Sequence, residues 1–184
     1  MTSRMTQISA LVVVTGPPGA GKSTVARVLA RSAERSVLVK GDSFFGFLAA
    51  GANEPWLPGS HEQNSVVTKA AASAAGAFAR GGYATVYDGV VGPWLLPTFA
   101  DATGLNELDY VVLLPSVETC VQRVLTRQGH GFADEATTRK MHGEFASAEF
   151  SRRHVIHDPP DQPGEVVAMI EALRSTCYLM FKIL

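Results

Sequence analysis

The stretch Gly16-Pro17-Pro18-Gly19-Ala20-Gly21-Lys22-Ser23 limits what this chain can fold into more than any other. It satisfies G-x-x-x-x-G-K-[ST] in full, and its flanks agree with it. Ahead of it runs Ala10-Leu11-Val12-Val13-Val14, a continuous apolar segment of the kind that forms a strand buried on both faces of a parallel sheet. Behind it, residues 22–33 place Val25, Val28, Leu29 and Ala33 at helical spacing. A strand, a glycine loop and a helix in that order make an anion site. Glycines let backbone N–H groups converge on phosphate oxygens with no Cβ in the way, and the helix N-terminus adds partial positive charge. Lys22 is placed to reach the β- and γ-phosphates of a nucleotide, and the Ser23 hydroxyl to ligate Mg²⁺. The pattern predicts nucleoside triphosphate binding through Gly16, Pro17, Pro18, Gly19, Ala20, Gly21, Lys22, Ser23 and Thr24. It does not name the group that receives a phosphate.

The rest of the chain repeats the alternation of strand and helix. Val37-Leu38-Val39 reads as a second strand, followed by a helix over roughly 43–50 capped by Asp42 and a Pro/Gly/Asn loop over 51–59. Ser60 with Gln63 is a capping-box pattern that opens an alanine-rich helix to about Arg80, ended by Gly81-Gly82. Tyr83 to Tyr87 and Tyr110 to Leu114 read as strands. Ser116 caps a helix whose apolar face is Val117, Cys120, Val121, Val124 and Leu125. Asp134 caps another to about Phe150, Val155-Ile156 is a short fifth strand, and a last helix runs from about Gly164 to Leu173. Alternation of this kind predicts a mostly parallel five-stranded sheet with helices on both faces. The apolar tail from Cys177 to Leu184 is expected either to pack on the core or to meet a partner.

Composition narrows the function classes. With 184 residues, 46% hydrophobic and 18% charged, the chain can build one ordinary core, and general disorder is excluded. Sixteen Lys and Arg against seventeen Asp and Glu leave a net charge of −1, so no basic excess marks it as a nucleic-acid or anionic-membrane binder. No apolar run approaches the ~20 residues of a membrane helix. Ile8 to Val14, with Ser9 inside it, is too short for a secretory segment. Cys120 and Cys177 lack metal-type spacing, so a reducing cytoplasm is the default expectation.

Further candidate residues follow from position. Asp42 sits just past the second strand, at the edge of a parallel sheet where ligands bind, and can accept or orient the proton of an attacking hydroxyl. Asp88 ends the third strand and can hold a Mg²⁺-bound water. Arg123 and Arg127 lie four apart on one helix face, and guanidinium forks suit phosphate oxygens and a transferring phosphoryl group. His130 and Arg139 flank the loop that follows, whereas Lys140 reads as part of a solvated helix face. Trp56, Trp94, Phe44 and Phe45 lie in or near ligand-edge connections and can wall an acceptor pocket.

Taken together, Gly16 to Thr24, Gly41-Asp42 and Arg127-Gln128-Gly129-His130 resemble the small P-loop kinases: gluconate kinase, shikimate kinase and chloramphenicol phosphotransferase. The arginine-x-glycine-histidine element is similar to that of gluconate kinase. Asp42-Ser43 and Tyr87-Asp88-Gly89-Val90 look more like chloramphenicol phosphotransferase. The resemblance spans about residues 8–173 and implies one P-loop NTPase domain, a three-layer α/β/α fold with a small lid at about 127–139. It implies use of ATP and Mg²⁺, with Lys22, Asp42 and Arg127 catalytic, Arg123 and Arg127 on the nucleotide, and Ser23 and Asp88 on the metal. Adenine is expected near the lid arginine and the loop Asp158 to Gln162. The shikimate-kinase glycine triplet and arginine set are missing.

The apolar segment 44–65 favours an acceptor with hydrophobic surface, such as an antibiotic or other natural product, over a sugar acid alone. A nucleoside or nucleotide kinase is the first alternative. Residues 40–70 hold only Lys40 and Lys69 as Lys or Arg, which is few for a monophosphate acceptor. A nucleotide-binding switch or ATPase without a small-molecule acceptor is the second. No Asn-Lys-x-Asp run marks guanine preference. The partner expected is a small-molecule hydroxyl acceptor, with no nucleic acid and no membrane, and the oligomeric state is not legible.

Overall fold

The structure, a computed structural model, describes residues 9–126 and 134–183. Strands β1 (Leu11–Thr15), β2 (Ser36–Lys40), β3 (Ala84–Asp88), β4 (Glu107–Leu114) and β5 (Val155–His157) form a parallel sheet in the order β2-β3-β1-β4-β5. The glycine loop therefore leaves the sheet at its centre, between the C-terminal ends of β3 and β4.

Alternation along the strands sends side chains into two cores. Leu11, Val13, Tyr110 and Val112 face one side with Ala71, Ala75, Phe99 and Phe145. Val12, Val14, Val111 and Leu113 face the other with Val25, Leu29, Val166 and Ile170. Helices α2 (His61–Arg80), α3 (Leu96–Thr103) and α5 (Glu135–Ser147) supply the first side. Helices α1 (Lys22–Arg31) and α6 (Pro163–Ser175) supply the second, and α4 (Val117–Thr126) packs along α5. The result is the expected three-layer α/β/α arrangement.

Several local expectations change. The helix expected over 43–50 is a 3-10 segment, Gly41–Phe47. Its tight winding keeps Asp42 close to the end of β2. Ser60 does not cap α2. Its hydroxyl donates to the Glu54 carbonyl at 2.8 Å, while Gln63 makes two 2.8 Å hydrogen bonds with the backbone of Asn53. Both side chains staple the 53–60 loop instead. Helix α3 was not anticipated, because eight residues containing Pro97 carry little periodicity. The alanine-rich α2 finds its reason here: Gly76 lies against the Thr103 carbonyl, where no side chain fits. The small residues permit close helix–helix approach.

The tail packs on the core. Cys177 turns through φ +56, Leu179 is fully buried, and β6 (Met180–Lys182) pairs antiparallel with the first half of β4. The sheet thus gains a sixth strand beyond the five expected. β4 starts three residues earlier than its apolar run, because Glu107, Leu108 and Asp109 are the residues that β6 pairs with. Below them, Arg174 of α6 donates from Nε to buried Asp109 at 3.0 Å and from Nη2 to the Ser9 carbonyl at 2.9 Å. Burial holds the Asp109 carboxyl above its ordinary range despite the arginine.

His154 is buried at the start of β5, between the rings of Tyr110 and Phe181. Nδ1 donates to the Tyr110 carbonyl at 3.0 Å, and Nε2 accepts from Arg153 Nε at 3.2 Å. The arginine can only donate, so this arrangement needs a neutral ring. Burial accordingly holds His154 below the ordinary imidazole value of about 6.5.

Two outcomes follow. Arg174→Met should cost ~3 kcal/mol, the low end for a broken buried pair, since Asp109 can take up a proton once alone; chemical denaturation measures this. An unfolded chain binds a proton at His154 more readily than the folded one, so stability is held above pH ~6.5 and declines as pH falls below it. Melting temperatures between pH 7.5 and 5.5 should show that slope, and His154→Gln should flatten it.

Candidate active site

Three glycines shape the loop between β1 and α1. Gly16, Gly19 and Gly21 have φ of +144°, +80° and +91°, which L-residues rarely adopt. A side chain on Gly16 would collide with the Leu113 carbonyl, and one on Gly19 with the Cys120 carbonyl. The loop is therefore seated directly on the end of β4 and the first turns of α4. Gly21 accepts from the N–H groups of Thr24 and Val25, both at 3.1 Å, and starts α1. Lys22 is nearly buried, and its ammonium donates to the Pro17 carbonyl at 2.9 Å.

The Ser23 hydroxyl lies beside Asp88, which is buried at the C-terminal end of β3. Burial pushes the Asp88 carboxyl above its ordinary range. The Ser23 hydroxyl and the nearby Lys22 pull it back, Asp42 raises it further by repulsion, and Lys40 lowers it. Strand register explains this meeting. Asp88 is level with Val14 of β1 and Lys40 of β2, so the sheet delivers Ser23, Asp88 and Asp42 to one edge. A serine hydroxyl and a buried carboxylate are hard oxygen donors, and a Mg²⁺ held by them would take its remaining ligands from phosphate and water. The residues fit the metal expected from the sequence.

Tyr87 organises this edge, and sequence reasoning gave it no role. Its ring lies edge-to-face on Phe99 at 4.6 Å, and its hydroxyl end fills the space above Gly41 and Gly89, where side chains would collide with it. Burial, with the negative charges of Asp42 and Asp88, pushes the phenol well above its ordinary range, so it stays protonated. Glycines directly following two strand ends were the available signal. Thr15 was also missed: its Oγ1 accepts from Val91 N–H at 2.9 Å, and Val91 O accepts from Tyr110 at 2.7 Å, which pins the segment beyond Asp88.

On the opposite side of the loop, Arg123 donates to the Gly19 carbonyl at 3.4 Å and to Asp161 at 3.0 Å. Ala20, Gly21, Thr24, Val25, Arg123, Pro159, Pro160 and Asp161 line a cleft of about 240 Å³. Its outer wall is the 158–162 loop, where adenine was expected. Asp158 turns the chain into that wall at φ +41°. Arg127 and His130, with the 127–133 part of the lid, lie outside the described residues. Arg139 is paired with Glu135 at 2.9 Å and Glu118 at 3.4 Å, tying α5 to α4. Lys140 is exposed beside Glu144, as expected. Of the aromatics, Phe44 packs on the core, Phe45 and Trp56 are half-buried, and Trp94 is exposed.

A family profile described as an AAA domain matches residues 11–150. No curated protein matches the chain. The fold is similar to that of an unliganded sugar kinase from Janibacter sp., with a TM-score of 0.66, 20% identity, and coverage of 90% of this chain and 93% of that one. It is similar to the tunicamycin resistance protein of Deinococcus radiodurans, with a TM-score of 0.65, 17% identity and coverage of 88% and 93%. It is also similar to a gluconokinase from Sinorhizobium meliloti, with a TM-score of 0.62, 16% identity and coverage of 94% and 97%. At these identities the likeness is one of fold.

Cys120 lies under the loop, fully buried, and burial pushes its thiol up to about 11. Alkylation in the folded protein should therefore be slow, and should accelerate to the rate of a free thiol only on unfolding. Gly19→Ala should lower the melting temperature and weaken nucleotide affinity at least about tenfold, because a Cβ there must push the loop away from Cys120; calorimetric titration reads the second effect.

Proposed function

The chain belongs to the AAA-domain family and has the fold of the small P-loop kinases, and from that premise we propose that it is an ATP-dependent phosphotransferase acting on the hydroxyl of a small molecule. The observation that carries this reading is the meeting of the loop residues Lys22 and Ser23 with buried Asp88 and with Asp42 at one sheet edge, where each acts on the Asp88 carboxyl. Groups suited to a triphosphate and a group suited to an acceptor hydroxyl share one sheet edge.

The loop N–H groups and Lys22 would hold the β- and γ-phosphates, and Arg123 would border the nucleotide in the cleft against residues 159–161. Ser23 and Asp88 would hold Mg²⁺, which when bound neutralises phosphate charge. Asp42, exposed at the mouth, would align the acceptor hydroxyl and take its proton. The hydroxyl oxygen forms a bond to the γ-phosphorus as the bond from that phosphorus to the β–γ bridging oxygen breaks, and ADP leaves. The transition state is loose, so alignment and charge placement matter more than base strength. Arg127 keeps the role that the sequence resemblance implies, charge stabilisation over the transferring group.

Sugar and antibiotic acceptors both belong in a test panel, since the similar structures include a sugar kinase, a gluconokinase and a tunicamycin resistance protein. A switch that signals through its tail loses its one sequence hint, because the described part of that tail pairs with β4.

ADP release with Mg²⁺-ATP should depend on one acceptor class and vanish in Lys22→Ala. Asp42→Asn should lower turnover roughly 10²-fold or more, as loss of a positioned base does, with ATP affinity little changed. Joint loss of ATP binding and turnover would assign Asp42 to structure or metal. A hydrolysis rate indifferent to every acceptor would favour the switch.

A further inference from the structure

Between the segment that leaves Asp88 and the C-terminal half of α5 lies an open groove of about 570 Å³, lined by Pro93, Trp94, Glu144, Ser147, Ala148 and Glu149. The phosphotransfer reading uses none of these residues. Trp94 is 42% exposed, yet its ring is fixed. It lies over Gly92, where any side chain would collide with the indole. Fully buried Phe145 supports it at 5.3 Å between centroids and an interplanar angle of 59°. The segment carrying it is pinned to β1 and β4 through Val91. An indole held from beneath and open above is a preformed recognition surface, which saves the ordering cost of a loose side chain.

Among the described residues that line it, the charged ones are both acidic. Glu144 and Glu149 line the groove beside the indole, and the remaining lining residues are uncharged. Lys140 approaches Glu144 only to 3.9 Å, in an exposed pair that contributes little. An indole face attracts cations through its quadrupole, and two carboxylates add attraction of the same sense while repelling anions. The groove is tied to the transfer site by a short stretch of chain: five residues separate Asp88 from Trp94, so their Cα atoms lie within about 20 Å.

We propose that this groove binds the ammonium end of a hydroxylated amine, and that the phosphoryl acceptor is accordingly a cationic amino alcohol and not an anionic sugar acid. The second half of that statement rests on the phosphotransferase reading; the first does not.

The test exploits the chain's two tryptophans. Trp56→Phe leaves Trp94 as the sole indole reporter. The protein is titrated without nucleotide with choline and with 3,3-dimethylbutan-1-ol, its uncharged isostere. Choline should give a saturable change in emission. The neutral isostere should bind at least about tenfold more weakly, as should choline to the Glu144→Gln/Glu149→Gln variant. Those positions are exposed, and an unchanged melting curve will show the variant folded. Equal response to both probes, or no saturable response to choline, would overturn the cation site.

A second arm measures ADP release for amine-bearing acceptors against their N-acetylated counterparts. KM should rise at least about tenfold on acetylation, with kcat nearly constant. Turnover of gluconate in preference to every amine would overturn the acceptor assignment while leaving the phosphotransferase intact. A saturable choline response in a protein that turns over no acceptor would overturn the phosphotransferase reading while leaving the cation site intact.

Discussion

The contact between the glycine loop and the β4–α4 corner is the constraint on which the site depends. Gly16 rests on the Leu113 carbonyl and Gly19 on the Cys120 carbonyl, with no room for a Cβ at either point. The loop's backbone is thereby held in left-handed conformations that a free peptide would seldom keep. Seating fixes the direction of its N–H groups, brings Arg123 to the Gly19 carbonyl, and sets the start of α1. The cleft against the 159–161 wall exists because that corner, the loop and α6 converge there.

A second economy of space governs the acceptor side. Tyr87 occupies the volume vacated by the missing side chains of Gly41 and Gly89. It wedges the ends of β2 and β3 at a set separation, and with them Asp42 and Asp88. A carboxylate buried as Asp88 is would be costly alone; the Ser23 hydroxyl and Lys22 offset part of that cost. The site thus holds negative charge next to an anion-binding loop, an arrangement suited to receiving a phosphate-bound metal. The tail contributes from the far end of the sheet. By pairing with β4 it covers the edge left by the three-residue β5, at the same end of β4 where Arg174 of α6 meets Asp109.

How much of this was legible depended on whether the signal was local. The strand, loop and helix around Lys22 were readable because each follows from its own residues, and the caps at Ser116 and Asp134 hold as read, at 3.2 and 2.6 Å. Ser60 and Gln63 have the same local spelling as a cap, yet their side chains reach the 53–60 loop instead. Periodicity alone also overstated burial: Val28, Leu125 and Met169 sit on apolar faces but are largely exposed. Helix α3 and the sixth strand escaped notice, because a short proline-containing helix and a three-residue strand acquire their stability from neighbours distant in sequence.

The sequence by itself determined the fold class, the phosphate loop, and the carboxylates at the ends of β2 and β3, since hydrophobic period and glycine placement act over a few residues. Only the tertiary structure decided that Ser23 would meet Asp88, that Tyr87 would set the spacing of two acids, that Arg139 would brace α5 against α4, and that Trp94 would be exposed on a rigid support in a groove shared with two carboxylates. Those outcomes depend on strand register and on which surfaces approach closely, and close approach is a property of pairs of segments that neither one carries alone.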